Sequence, residues 1–288
     1  MQRIKAIFSF ISRSIQYFTA NFKGILLAIF IIYLIMPSSD EIRPANVVRI
    51  NLSGQIVDSQ KVVEQIDAAA RDKKIHGVLF VINSPGGSVA PSIEISLAIK
   101  RLASIKPVIT YAQGSLASGS YYASIWSTKI FANPGSLIGS IGVIFQGYNL
   151  EKVMKKVGIS SQVVKAGSFK ETGTFNRSWT KEEKHELNRV INDMYEMFVA
   201  DVSLARALDS NKKGIFADAH IFSAARAKSV GLIDEVASIH EAKLALKSFT
   251  KLNKLVWQTP TFAENFAEKL SSKIIGTIDA YYLQPILK

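Results

Sequence analysis

The chain has 288 residues, is 48% hydrophobic and 20% charged, and carries a formal net charge of +12. That length and apolar content suffice to bury a sizeable core, which excludes wholesale disorder. There is no cysteine, which excludes disulfide staples, thiolate nucleophiles and cysteine-ligated zinc and leaves oxygen or an amine for any covalent chemistry.

The first 36 residues stand apart. Arg3, Lys5, Arg13 and Lys23 precede the first acidic residue, Asp40, and Gly24 to Met36 reads GILLAIFIIYLIM without a charge. Thirteen residues rise only about 20 Å as a helix, short of a hydrocarbon core of about 30 Å. Counting back to Tyr17 and Phe18, with the Lys23 ammonium snorkelling to the interface, gives a span of about 20 residues. MPSSDEI offers no A-x-A cleavage pattern, so residues 1–36 are expected to be a retained transmembrane anchor rather than a signal peptide. Cations before the span and acids after it predict an N-terminus in the cytoplasm and the bulk of the chain outside. No dense basic run is interleaved with aromatics, so the positive charge points to anionic lipid rather than to nucleic acid.

Residues 37–46 read as a linker, and beyond them the chain alternates. VVRINL at 47–52 is strand-like, 58–71 spaces Val62, Val63, Ile66 and Ala69 as on a helix, and GVLFVIN at 77–83 is a buried strand by composition. A helix over 92–102, a strand in PVITYA at 107–112, a helix opening near Ser118, and strands at 129–132 and 138–144 follow. SSQVVKAG at 160–167 is also strand-like. The alternation predicts an α/β domain over 47–250, a parallel sheet with helices on both faces. In the C-terminal segment, 251–288, Phe262, Phe266, Leu270 and Ile274 recur every four residues as an amphipathic apolar stripe, for packing on a neighbour, on a membrane or within the same protomer.

Ligands of such sheets bind where strands end and helices begin. Two loops of that kind stand out: NSPGGSV at 83–89 and GSLASGSYY at 114–122. Paired glycines after a buried strand can turn backbone N–H groups toward a cavity, as an oxyanion requires, or simply make a tight turn. The phosphate-cradling pattern G-x-x-x-x-G-K-[ST] is absent. Ser118 sits at the strand-to-helix turn, where helix N–H groups favour developing negative charge. Ser115 lies too early and Ser120 falls inside the first helical turn. Ser118 is therefore the candidate nucleophile, with an N-cap as its plain structural role.

A serine nucleophile requires a base. His76, His185, His220 and His240 lie in charged or helical contexts, and none follows a strand as a triad member does. A lysine kept neutral by desolvation is the alternative, and both Lys165 and Lys170 qualify.

NSPGGSV, ASGSYY at 117–122, KAGSFKETG at 165–173 and ARAKSVGLIDEV at 225–236 occur in the order found in signal peptide peptidase A, or protease IV. The chain resembles the short, single-module, membrane-anchored form of that Ser-Lys peptidase family over roughly residues 45–245. The resemblance implies a Clp-peptidase/crotonase-like fold, Ser118 as nucleophile, Lys170 as general base, and an oxyanion hole from the N–H groups of Gly86 or Gly87 and Gly119. It implies no metal or organic cofactor. It further implies a homo-oligomeric ring in which the lysine comes from a neighbouring protomer. The implied partners are peptide substrates such as signal peptide remnants at the outer face of a bacterial cytoplasmic membrane. Two positions depart from the family: Ser120 stands where glycine is usual, and Thr174 and Phe175 where a proline follows the lysine segment. A crotonase-like acyl-CoA enzyme would share the fold without needing the Ser-Lys pair, and a non-catalytic membrane scaffold is hinted at by Ser120 alone.

Overall fold

A computed structural model describes residues 19–35 and 44–258. The chain divides into two units, one ending at Arg43 and the other beginning at Pro44.

In the first unit, α1 (Phe22–Ile35) is a 14-residue helix, uncharged after Lys23. Phe22, Leu26, Leu27 and Phe30 are exposed on it. Its length of about 21 Å falls short of a hydrocarbon core, and among the described residues no helix is long and apolar enough to cross a membrane. The span expected from Tyr17 to Met36 runs beyond the described residues at both ends.

The second unit runs β1 (Val47–Ser53), α2 (Gln60–Arg71), β2 (Gly77–Ser84), α3 (Val89–Ala103), β3 (Val108–Ala117), α4 (Gly119–Ser124), β4 (Lys129–Ala132), β5 (Leu137–Gly139), α5 (Glu151–Lys156), α6 (Lys181–Arg206), α7 (Lys213–Phe216), β6 (Ile221–Ser223), α8 (Ala224–Ser229), β7 (Glu235–Val236) and α9 (Ile239–Thr250). The sheet order is β1-β2-β3-β4-β7, all parallel. β5 adds in parallel to the far end of β3, and β6 pairs with β5 antiparallel. The sheet is therefore mixed, not wholly parallel as the alternation predicted. β6 comes after the long helix α6 and the short α7 and returns against β5 from the opposite direction.

β2 shows why its sequence is almost continuously apolar. Val78, Phe80 and Ile82 join Ile66, Ile95, Ile99 and Leu102 of α2 and α3 in the larger core. Leu79 and Val81 join Ala242 and Leu246 of α9 in a second cluster on the other face. Both faces of the strand are dry, as expected where helices cover a parallel ladder, and each large side chain so buried contributes about 1.5–3 kcal/mol.

Two predicted strands differ. Of residues 138–144 only Ile138 and Gly139 are strand, at the end of β5, because Ser140 adopts a left-handed φ of 50° and turns the chain away. Residues 160–167 form no strand: they find no partner strand and are exposed along their length. The stripe Phe262, Phe266, Leu270 and Ile274 lies outside the described residues.

Candidate active site

The β2–β3 ladder runs in register to Ile82 opposite Ala112 and then shifts, so that Ser84 faces Leu116. β3 thereby continues to Ala117, beyond its predicted end at residue 112, and the Asn83 side-chain oxygen accepts from Ser115 N–H at 3.0 Å. The irregularity brings the ends of both strands, with the loops that follow them, to one place.

Ser118 follows β3 with φ 52° and ψ −125°, a conformation that costs a non-glycine residue about 1–3 kcal/mol. It is held there from both sides. Its N–H donates to Gly139 C=O at 2.8 Å, and its C=O accepts from Tyr122 N–H at 3.0 Å as α4 opens. Although Ser118 occupies the N-cap position of α4, its hydroxyl makes no capping hydrogen bond. The plain structural role is thus not the one it performs.

The Pro85-Gly86-Gly87 loop lies directly against this turn. A Cβ on Gly86 would stand 2.6 Å from Gly119 N and 2.8 Å from Ser118 Cβ, and φ 96° at Gly86 already favours glycine. Ile56 clamps the loop on both sides of Gly87: its N–H donates to Gly86 C=O at 2.9 Å, and its C=O accepts from Ser88 N–H at 2.7 Å. Gly86 spends its own N–H on Ser84 Oγ at 3.2 Å. The N–H groups of Gly87 and of Gly119, the first residue of α4, have no such acceptor within the loop or helix. Those two residues border the pocket beside Ser118, and Gly86 does not.

That pocket encloses about 320 Å³ including space open to solvent, and Val89, Ile93, Tyr122, Val143, Met197 and Phe198 give it an apolar wall. The Tyr122 ring meets Phe198 edge-on at 4.6 Å. Its hydroxyl donates to Asp201, and burial, with that carboxylate, pushes the phenol well above its ordinary range. It therefore stays neutral, with its hydroxyl committed to Asp201.

Helix α6 supplies the outer wall and is fixed at both ends. At its start Thr180 and Glu183 form a reciprocal capping box. At its end Arg206 meets Asp234 at 3.0 Å, and Asp234 also accepts from Ile130 N–H and Lys129. Burial pushes the Asp234 carboxyl up, but these donors outweigh it and hold it below its usual value.

Ser120, the departure from the family glycine, is fully buried. Its hydroxyl donates to Ser84 C=O at 2.7 Å and accepts from Ala117 N–H at 2.9 Å. It does not line the pocket, so it neither crowds a substrate nor favours a scaffold over an enzyme.

Lys170 is not brought to this site within one chain. It is exposed and does not line the pocket, and among the described residues its ammonium enters no hydrogen bond or ion pair. Lys165 is occupied: it donates to Glu171 at 2.7 Å. The segment bearing both lysines, residues 143–178, leaves Ile144 82% and Tyr148 74% exposed, with Val157, Val164 and Phe169 also facing outward. None of the four histidines lines the pocket. Sequence reasoning missed the wall from α6, whose T-x-x-E capping signal at Thr180 and Glu183 was available, and the brace at Ser120.

The strained serine stands between backbone donors at the carboxyl ends of a parallel ladder, in an α/β fold whose mixed sheet is flanked by helices; the family-model match to Clp protease makes that fold Clp-protease-like. The family model for Clp protease matches residues 43–129 and that for Peptidase family S49 matches residues 100–253. A protein named as a protease in Methanocaldococcus jannaschii is 38% identical over 196 residues, covering 68% of this chain and 63% of its own. Another so named in Synechocystis is 37% identical over 199 residues, covering 68% and 72%. One named as a signal peptide peptidase in Enterococcus faecium is 31% identical over 223 residues, covering 72% and 64%. A solved ClpP1 mutant of Listeria monocytogenes matches with a TM-score of 0.47 at 16% identity, covering 67% of this chain and 93% of that one. The chain belongs to peptidase family S49.

Proposed function

We propose that the protein is a serine endopeptidase working through a Ser118–Lys170 dyad completed between neighbouring copies. The observation that carries this reading is the Ser118 hydroxyl, free of its capping role and set in a strained turn beside the pocket and the N–H groups of Gly87 and Gly119. Family membership supports it, as does the amine of Lys170, which has no partner among the described residues.

In the reaction, neutral Lys170 of one copy takes the proton from Ser118 Oγ of another, and the oxygen attacks a peptide carbonyl. The N–H groups of Gly87 and Gly119 hold the oxyanion. The C–N bond then breaks as lysine returns its proton to the leaving amine, leaving an acyl ester on Ser118. Water enters, gives its proton to lysine and attacks the ester. The ester C–O bond then breaks as lysine returns that proton to Ser118 Oγ, which releases the acid and restores both the serine and the neutral amine.

The apolar pocket suits an apolar side chain next to the scissile bond. Residues 1–36, with exposed Phe22, Leu26, Leu27 and Phe30, act as the membrane anchor, placing the catalytic unit on the outer face of the cytoplasmic membrane. Apolar peptides released near the bilayer, such as signal peptide remnants, are the substrates. The exposed face over residues 143–178 packs on the next copy, and this carries Lys170 to its partner serine.

Intact mass of the full chain in detergent after treatment with a fluorophosphonate tests the chemistry. One adduct is expected on the parent and none on Ser118→Ala or Lys170→Ala. Labelling that survives loss of Ser118 would overturn the assignment.

A further inference from the structure

Where the β2–β3 ladder shifts register between Ile82 and Ser84, a single main-chain pairing, Ser84 with Leu116, ties the two strand ends beyond the shift. Yet both proposed oxyanion donors hang from those ends: Gly87 lies three residues past Ser84, and Gly119 two residues past Ala117. The margin is narrow, since a Cβ built on Gly119 would already stand 3.3 Å from Gly87 N. One side chain spans the gap. The Ser120 hydroxyl accepts from Ala117 N–H at 2.9 Å and has two carbonyls within donating reach, Ser84 C=O at 2.7 Å and Ala117 C=O at 2.9 Å, with no exposure to solvent; the shorter contact is the one to Ser84. The Ser84 it grips also receives Gly86 N–H on its own hydroxyl at 3.2 Å. The bond to Ala117 N–H additionally closes the turn around Ser118, whose φ of 52° has no glycine to relax it.

We infer that Ser120 is a positioning residue for the oxyanion hole: its hydroxyl sets the spacing of the Gly87 and Gly119 N–H groups and holds Ser118 in its strained turn. The inference rests on the proposed peptidase reading and adds to it a residue that touches neither substrate nor nucleophile. A misplacement of catalytic donors by a fraction of an ångström lowers the rate of the chemical step more than it lowers ground-state binding.

The experiment compares full-length parent, Ser120→Ala and Ser120→Cys on an apolar fluorogenic peptide, well below the melting temperature of each. For Ser120→Ala, kcat is expected to fall about tenfold or more while KM changes less than about twofold. Inhibition by a peptide aldehyde, whose hemiacetal oxygen occupies the same hole, should weaken in parallel with kcat. The thiol of Ser120→Cys, a weak donor and acceptor of similar size, should give an intermediate kcat, and it carries the test if the alanine variant does not fold. A brace of purely structural value would lower the melting temperature and leave kcat and aldehyde inhibition within about twofold of the parent, which would overturn the inference. If the parent itself neither cleaves the peptide nor labels at Ser118, it is the peptidase reading that has failed. If the parent is active and both variants match it, only the role of Ser120 is lost.

Discussion

Arg177 grips Glu183 with a two-pronged fork, its guanidinium nitrogens donating to the two carboxylate oxygens at 2.9 and 2.7 Å. Arg177 also reaches Glu171 at 3.4 Å, and Glu171 in turn holds Lys165. The four residues form a chain of charges that fastens the Lys170 segment to the first turn of α6. Lys170 itself is left out of it. An amine meant to give and take protons cannot sit in a permanent ion pair, because the partner would stabilise the charged form.

The fork predicts a pH signature in stability. Hydrogen bonds from Arg177, then from Thr180 N–H, lower the Glu183 carboxyl to about 2, against about 4.3 for a free glutamate. A depressed carboxylate contributes stability that is fully present above the unfolded value and is lost as pH falls through the folded one. The melting temperature of the parent should therefore exceed that of Glu183→Gln at neutral pH. The difference should shrink between about pH 4 and pH 2. A constant difference across that range would refute the assignment.

Mixing separates a dyad made within one chain from one made between chains. Ser118→Ala and Lys170→Ala should each lose at least about 1,000-fold in kcat. Purified together and allowed to exchange subunits, they should regain a substantial fraction of parental activity, because some interfaces pair an intact serine with an intact lysine. No recovery after demonstrated exchange would place both groups in the same protomer.

Activity should rise from neutral toward alkaline pH, since lysine is a base only when uncharged. A kcat/KM profile flat from about pH 5 to 9 would argue against a lysine base.

Gly119→Ala should cut kcat by about 100-fold or more. The new Cβ would meet Ser92 Oγ at 2.2 Å, and relief of such overpacking costs about 1–3 kcal/mol in stability. Ser92→Gly in the same chain should recover part of the stability. If the double variant melts no higher than Gly119→Ala, the contact with Ser92 is not the cause.

Peptides with Leu, Met or Phe before the scissile bond should be cleaved at least about tenfold faster than those with Asp or Lys there. Met197→Trp should move the preference toward smaller side chains. Unchanged ranking would mean that the pocket beside Ser118 does not receive that residue.

How far these features can be read from sequence varies with what holds them in place. β2 is legible because burial on both faces leaves no polar position from Val78 to Ile82. The far end of β3 is not: Ser115, Leu116 and Ala117 have no strand composition and are extended because β5, Ser84 of β2 and the Asn83 side chain pair with them. Val163 and Val164 made 160–167 look like a strand, but apolar residues form a ladder only when a partner strand is within reach. Ser118, Gly87 and Gly119 were identifiable from turn chemistry. The choice of Lys170 over Lys165 came from resemblance, and only the ion pair to Glu171 gives it a physical reason. The mixed sheet was hidden because the direction of β6 depends on where α6 delivers the chain.

The outward reach of Lys170 has a consequence for the cell. On the proposed reading, a solitary copy holds the serine and the lysine but cannot let them meet, so it is disarmed by dilution. On that reading no propeptide or inhibitor would be required to keep it harmless. Proteolysis would begin only when copies crowd together, and its onset would track their density in the membrane more steeply than their number.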